Sequence, residues 1–156
     1  MTQLTNEKKV KVAVGCDPNA TDLKEIIIDQ LEKMDYLVKD FGSEDPIYAK
    51  VAIAVGEAVA SNEFDRGILL CGTGIGMCIA ANKVPGVYAA LCADTYSAER
   101  AIKSNNANLL AIGAFTTGPE IAKQIVKIWM ESKWQAGTAS EPKVAYFVEY
   151  AKKHQI

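Results

Sequence analysis

The sequence predicts an α/β protein, an open, doubly wound sheet of five parallel strands with helices on both faces and an extra helix at the carboxyl terminus. Three observations predict it. Five short, nearly continuous apolar runs alternate with longer segments of helical period, the pattern of strands buried on both faces and joined by helical crossovers. Glycine, proline or aspartate punctuates the junctions, as turns between such elements require. The 156 residues suit one domain and fall short of the eight units and roughly 250 residues of a closed barrel.

Residues 10–15 read Val-Lys-Val-Ala-Val-Gly, a β-branched run ended by glycine. After the turn Cys16-Asp17-Pro18-Asn19, Leu23, Ile26, Ile27, Leu31 and Met34 recur at helical spacing, with Lys24, Glu25 and Asp29 between them. Residues 36–41 form the second strand. Pro46 then opens a helix where its missing N–H costs nothing, and Val51, Val55 and Val59 line one face. Residues 67–71 form the third strand, and the helix behind the following glycine turn runs to about Lys83 before Pro85-Gly86 stops it. Residues 87–92 form the fourth strand, and Asp94 caps the helix carrying Ala98, Ala101 and Ile102. Residues 109–112 form the fifth, and Thr117-Gly118-Pro119-Glu120 leads into a helix with Ile121, Ile125, Ile128 and Trp129.

The whole chain, residues 1–156, reads as a single domain with a core over about residues 10–133 and a tail over about 134–154. The tail is a loop followed by a last helix. Its Val144, Phe147, Val148 and Tyr150 make an apolar face with no evident place on the sheet, so it docks on a second subunit or folds back on its own domain.

Seventeen basic and nineteen acidic residues give a formal charge of −2 with no basic block, which argues against a nucleic-acid partner. The hydrophobic share of 49% and mean hydropathy of +0.03 are those of a globular enzyme. No segment reaches 18 uncharged apolar residues, and the first ten residues lack the apolar core of a signal peptide, so the expectation is a cytoplasmic protein with no membrane contact. The cysteines are Cys16, Cys71, Cys78 and Cys92, with no CxxC, and the single histidine is His154. A zinc site is not expected, and each cysteine reads first as a small apolar residue in a reducing compartment.

Ligand sites in open α/β sheets lie beyond the carboxyl ends of the strands, which leaves Cys16-Asp17, Phe41-Gly42-Ser43, residues 71–76, residues 92–95 and residues 113–118. The third is the sharpest. Its Cys71-Gly72-Thr73-Gly74-Ile75-Gly76 places three alternate glycines between a strand and a helix, where backbone N–H groups can turn inward around an anion. A dinucleotide fingerprint needs a glycine three residues after Gly74 and belongs after the first strand, and no GxxxxGK[ST] is present, so no nucleotide cofactor is expected. Cys71, at a strand end before a helix terminus, is a candidate reactive thiol, and the Thr73 hydroxyl beside it can relay a proton or hold a substrate oxygen. Asp17 either caps the first helix or holds a sugar hydroxyl. One of Asn105, Asn106 and Asn108 either contacts ligand or merely forms a turn.

Three stretches then carry a resemblance: Asp65-Arg66-Gly67-Ile68-Leu69-Leu70-Cys71-Gly72-Thr73-Gly74-Ile75-Gly76-Met77, Ala80-Ala81-Asn82-Lys83-Val84-Pro85-Gly86 and Asp94-Thr95-Tyr96-Ser97-Ala98. With a weaker echo in Asn105-Asn106-Ala107-Asn108, Gly113 and Gly118-Pro119, the chain resembles the ribose-5-phosphate isomerase B and galactose-6-phosphate isomerase subunit family. The resemblance implies a Rossmann-like subunit, a homodimer or homotetramer with sites built between subunits, and no metal or organic cofactor. It implies aldose–ketose isomerisation of a sugar phosphate through an enediolate. Cys71 coincides with the family's base, Thr73 with a residue assigned to proton shuttling or ring opening, and Gly72, Gly74 and Gly76 with the segment that receives the enediolate oxygen. Those roles are chemically coherent, because proton abstraction beside a carbonyl needs a base and fixed dipoles where the oxyanion develops.

The departures are equally informative. Asp17-Pro18-Asn19-Ala20 stands where the family commonly has Asp-His-Ala-Gly, Ser104 where it has a ring-opening histidine, and Phe115 where it often has arginine. Its arginine-rich tail is replaced by Thr138-Ala139-Ser140-Glu141-Pro142, leaving Lys143 and Arg100 as the nearest cations for a phosphate. Three readings follow: a different small sugar phosphate, an unphosphorylated or altered sugar, or a non-catalytic or partner-dependent subunit. An open-chain tetrose 4-phosphate would need no ring-opening histidine. The galactose-type members pair two unlike subunits, so an unlike partner is a further alternative.

Overall fold

The computed structural model describes residues 8–42 and 44–156; the first seven residues, and Ser43 of the candidate stretch Phe41-Gly42-Ser43, lie outside the described residues. Its elements are β1 (Lys11–Cys16), α1 (Thr21–Lys33), β2 (Leu37–Asp40), α2 (Tyr48–Ala60), β3 (Arg66–Cys71), α3 (Ile75–Ala81), β4 (Ala89–Leu91), α4 (Thr95–Lys103), β5 (Leu109–Gly113), α5 (Pro119–Glu131) and α6 (Glu141–His154). The strands lie in the order β2-β1-β3-β5-β4, every neighbouring pair parallel. The chain steps outward from β1 to β2 and returns to β3 on the other side of β1, so the winding reverses between β1 and β3, where α/β sheets open a crevice.

Alternation of side chains along each strand divides the core in two. Val12, Val14, Ile68, Leu70, Leu110 and Ile112 face α1, α4 and α5, meeting Ile27, Leu31, Ile102, Ile125 and Trp129. Ala13, Leu69, Cys71, Leu109 and Ala111 face α2 and α3, meeting Val55, Val59, Met77 and Ala81. This parity sends the Cys71 side chain to the α2/α3 face.

Several boundaries move from their expected places. Pro46 precedes the cap of α2 instead of opening it: Ile47 is the N-cap, and Asp45 Oδ1 accepts its N–H at 2.8 Å. The fourth strand shortens to three residues because side chains take over its entry; Asn108 Oδ1 accepts the Tyr88 N–H and Asn82 Oδ1 the Ala89 N–H, both at 2.8 Å. The third helix stops at Ala81, and Asn82 Nδ2 donates back to the Cys78 carbonyl at 3.0 Å. Asp94 caps α4 as expected, Oδ1 accepting from the Ser97 N–H and Oδ2 from its hydroxyl, each at 2.7 Å; these donors hold the carboxyl below the usual carboxylate range.

Two charged residues of ordinary sequence appearance have buried work. Lys24 is only 4% exposed and meets both oxygens of Asp40, at 2.8 and 2.6 Å, tying α1 to β2. The Arg66 guanidinium lies 5.0 Å from the Trp129 ring centroid and donates to the carbonyls of Trp129, Met130 and Ser132, closing the carboxyl end of α5. Arg66→Met is therefore expected to lower the stability of the protein by about 2–3 kcal/mol, read as a fall in the urea midpoint at unchanged m-value.

The last helix folds back on its own chain through a narrow contact. Val144 is buried, and the Phe147 ring centroid lies 5.3 Å from that of Tyr88, just before β4. Tyr146 and Tyr150 stay exposed on the outer side, the latter stacked on His154. Among the described residues no helix is long and apolar enough to cross a membrane.

Candidate active site

Parallel registration brings the carboxyl ends of β1, β3 and β5 together. Cys16 pairs with Leu70 and Cys71 with Gly113, and the Asp17 N–H extends the ladder to the Leu70 carbonyl at 3.1 Å. The turn that leaves β3 is fastened to the turn that leaves β5: the Ala114 and Phe115 N–H groups donate to the carbonyls of Cys71 and Gly72, at 2.8 and 2.9 Å.

Within this frame Cys71 Sγ accepts the Gly74 N–H at 3.1 Å, and Thr73 Oγ1 accepts the Ile75 N–H at 3.3 Å. Gly74 makes the first contact possible. Its φ of +78° is left-handed, and a Cβ there would stand 2.6 Å from Leu91 Cδ1 and 2.9 Å from the Ile112 carbonyl carbon. The Cys71 side chain is buried while Thr73 is exposed, so a ligand meets the hydroxyl at the surface with the sulfur beneath. The N–H groups of Thr73 and Gly76 are among those that find no acceptor among the described residues, which leaves donors around the start of α3 for a ligand oxygen. The outermost positions of the turn sit under aromatic rings, Gly72 beneath Phe115 and Gly76 beneath Tyr48.

Asp17 is 6% exposed and lies one strand away at the end of β1. It does not cap α1, whose N-cap is Ala20 with no side-chain bond, but the single 3₁₀ turn Pro18–Ala20 ahead of it: Oδ1 accepts the Asn19 N–H at 2.9 Å and Oδ2 the Asn19 side-chain amide at 3.2 Å. A carboxylate with two donors retains lone pairs for a hydroxyl, so the cap leaves ligand contact available.

Asn105 and Lys143 are not brought to Cys71 within one chain. Asn105 follows α4 and precedes β5, which puts it at the amino edge of the sheet, with the length of β3 between it and the glycine turn; its Nδ2 donates to the Arg100 carbonyl at 3.2 Å. Lys143 is exposed in the first turn of α6, the helix that docks near the amino end of β4. Of the other asparagines, Asn106 takes a left-handed φ of +52°, and Asn108 Nδ2 donates to the Gly86 carbonyl at 2.8 Å while its Oδ1 holds Tyr88, a turn-forming role.

Two of the remaining thiols are held neutral by their surroundings. Burial, reinforced by Asp94 and Cys78, pushes the Cys92 thiol up to about 11, and burial raises Cys78 as well. Among the described residues no group of three His, Cys, Asp or Glu side chains is placed to hold a metal ion.

Tyr48 and Phe115 are the site features that sequence reading missed as neighbours of the turn. Tyr48 lies far from Gly76 in sequence, and only its place at the start of α2, on the carboxyl side of the sheet, hints at proximity.

Comparison with known proteins gives the family. The family model described as Ribose/Galactose Isomerase matches residues 12–147. D-Erythrulose-4-phosphate isomerase of Pectobacterium atrosepticum is 47% identical over 94% of this chain and 99% of its own, and ribose-5-P isomerase B of Listeria innocua is 42% identical over 94% and 100%. The solved structure of Clostridium thermocellum ribose-5-phosphate isomerase B superposes with a TM-score of 0.87 at 40% identity, covering 93% of this chain and 99% of that one. With a glycine turn, a thiol at its base and matches that run almost end to end, the chain belongs to the ribose/galactose isomerase family and is an isomerase of sugar phosphates.

Proposed function

We propose that this chain interconverts an aldose and a ketose through an enediolate, with Cys71 as the base, on an open-chain four-carbon sugar phosphate. The observation that carries the chemistry is the Cys71 sulfur held by the Gly74 N–H within a turn whose Thr73 and Gly76 N–H groups stand free. Starting from the ketose, Cys71 removes a proton from C1 and the C1–H electron pair passes into the enediolate. The charge that develops on the C2 oxygen is met by the free backbone donors. The Thr73 hydroxyl carries a proton between O2 and O1, and the Cys71 thiol returns its proton to C2. Carbon, hydrogen and electrons all balance within the sugar, so the reaction as written uses no metal and no organic cofactor.

The four-carbon substrate is supported by what stands at the ring-opening position of the family. A sugar of four carbons esterified at O4 has no hydroxyl left to close a five-membered ring, so it needs no acid to open one. Ser104 occupies the position of the ring-opening histidine, and the sole histidine, His154, is stacked on Tyr150 on the outer helix. The Pectobacterium relative is named for a substrate of this size. Asp17 in this reading holds a sugar hydroxyl beside the Gly72, Gly74 and Gly76 backbone. Asn105 and Lys143 enter from a second copy, Lys143 toward the phosphate, which makes the working form a homodimer or a homotetramer of such dimers. A phosphorylated substrate supports a cytoplasmic location for the enzyme.

The test is deuterium incorporation from solvent at C1 and C2, followed by NMR with tetrose 4-, pentose 5- and hexose 6-phosphates. Fastest exchange with erythrulose 4-phosphate or erythrose 4-phosphate is expected. Exchange confined to pentose and hexose phosphates would overturn the substrate assignment, and no exchange across the panel would replace it with a partner-dependent or binding-only subunit.

A further inference from the structure

We infer that Tyr48 is a substrate-contacting residue, its hydroxyl donating a hydrogen bond to the same sugar oxygen that the Gly76 N–H receives; the inference rests on the isomerase reading above. Tyr48 is the first residue of α2, the helix that covers the Cys71 face of the sheet. Its ring lies directly on Gly76. A Cβ at that glycine would stand 2.6 Å from Cζ, 2.7 Å from Cε2 and 2.8 Å from Oη. With a Cα–Cβ bond of about 1.5 Å, the hydroxyl oxygen is therefore within about 4.3 Å of the Gly76 Cα.

Two polar groups near that point have no partner among the described residues. The Tyr48 hydroxyl makes no hydrogen bond among the described residues, and neither does the Gly76 N–H. The Tyr48 residue is 40% exposed, as expected of an aromatic body packed on the protein with its polar tip wet. An N–H and an O–H that close together, at the rim of the turn holding Cys71 and Thr73, suit an oxygen that gains charge during reaction. A side chain at position 76 would drive the ring off this spot, which supplies a reason for glycine there that the bare backbone turn does not require.

Tyr48→Phe separates contact from packing, because it keeps the ring on Gly76 and deletes only the hydroxyl. Measured as solvent exchange and steady-state isomerisation of erythrulose 4-phosphate, the variant is expected to lose about 10- to 100-fold in kcat with an unchanged Tm. Activity within twofold of the parent, while Cys71→Ala in the same assay is inactive, overturns the role of Tyr48 and leaves the isomerase reading standing. A fall in Tm with Tyr48→Phe also overturns it, by showing that the hydroxyl serves the fold. If Cys71→Ala retains parent activity, the failure lies in the base assignment on which the inference rests.

Discussion

Replacing Cys71 with alanine is expected to cut deuterium exchange and isomerisation by roughly 10²- to 10⁴-fold, the contribution of a positioned general base, without unfolding the chain. The substitution removes the sulfur that accepts the Gly74 N–H and leaves a small residue in a strand end that already tolerates a tight neighbourhood. The structural cost is one hydrogen bond, about 1 kcal/mol. Cys71→Ser sharpens the result: the hydroxyl can still take the Gly74 N–H, yet a serine hydroxyl gives up its proton far less readily than a thiol. Serine is expected to restore stability and not rate. Exchange at the parent rate in the alanine variant, with its melting curve intact, would move the base to another residue.

The largest effect on stability is expected from Trp129→Ala, about 3–5 kcal/mol out of the roughly 5–15 kcal/mol that holds a domain of this kind. Trp129 is fully buried among α1, α4, α5 and the sheet, and it is the platform on which the Arg66 guanidinium lies. Alanine removes that platform and opens a cavity the rigid sheet cannot fill. Trp129→Phe is expected to cost much less. The indole Nε1 is buried without a partner, so phenylalanine loses volume but also removes an unsatisfied donor. Equilibrium urea unfolding of the two variants checks this, and an alanine penalty below about 1 kcal/mol, or equal penalties for both, would contradict it. Because Arg66 and Trp129 share contacts, the double variant should fall short of the sum of the singles.

The parts of the site that lie close together in sequence were readable before the structure. Cys71, Thr73 and the three glycines occupy one strand-to-helix turn, and their types already carry the chemistry: a thiol, a hydroxyl and residues that free the backbone. Asp17 was readable as a residue at a strand end, with its two roles undivided; the structure has it capping the 3₁₀ turn before α1 and not α1 itself. Asn105 was readable only as one of three asparagines before the fifth strand, with ligand contact and turn formation both open, and Lys143 only through the family resemblance. The fold accounts for the difficulty, since both lie at the amino side of the sheet, away from Cys71 of their own chain. Boundary errors had local causes of one kind. Asn82, Asn108 and Asp45 each direct a side chain to a backbone group and end or delay an element that periodicity would prolong.

By itself the sequence determined the alternation of strands and helices, the parallel character of the sheet, the capping of α4 by Asp94 and the position of the glycine turn after β3, because each is written in residues a few places apart. The tertiary structure decided the strand order β2-β1-β3-β5-β4, the burial of Lys24 against Asp40, the seat of Arg66 on Trp129 and the placing of Tyr48 and Phe115 over Gly76 and Gly72. Those pairings join residues from different units of the chain. Local pattern holds no information about which partner a buried charge or a ring will meet; that is settled only when the crossovers stack the units and the core closes around them.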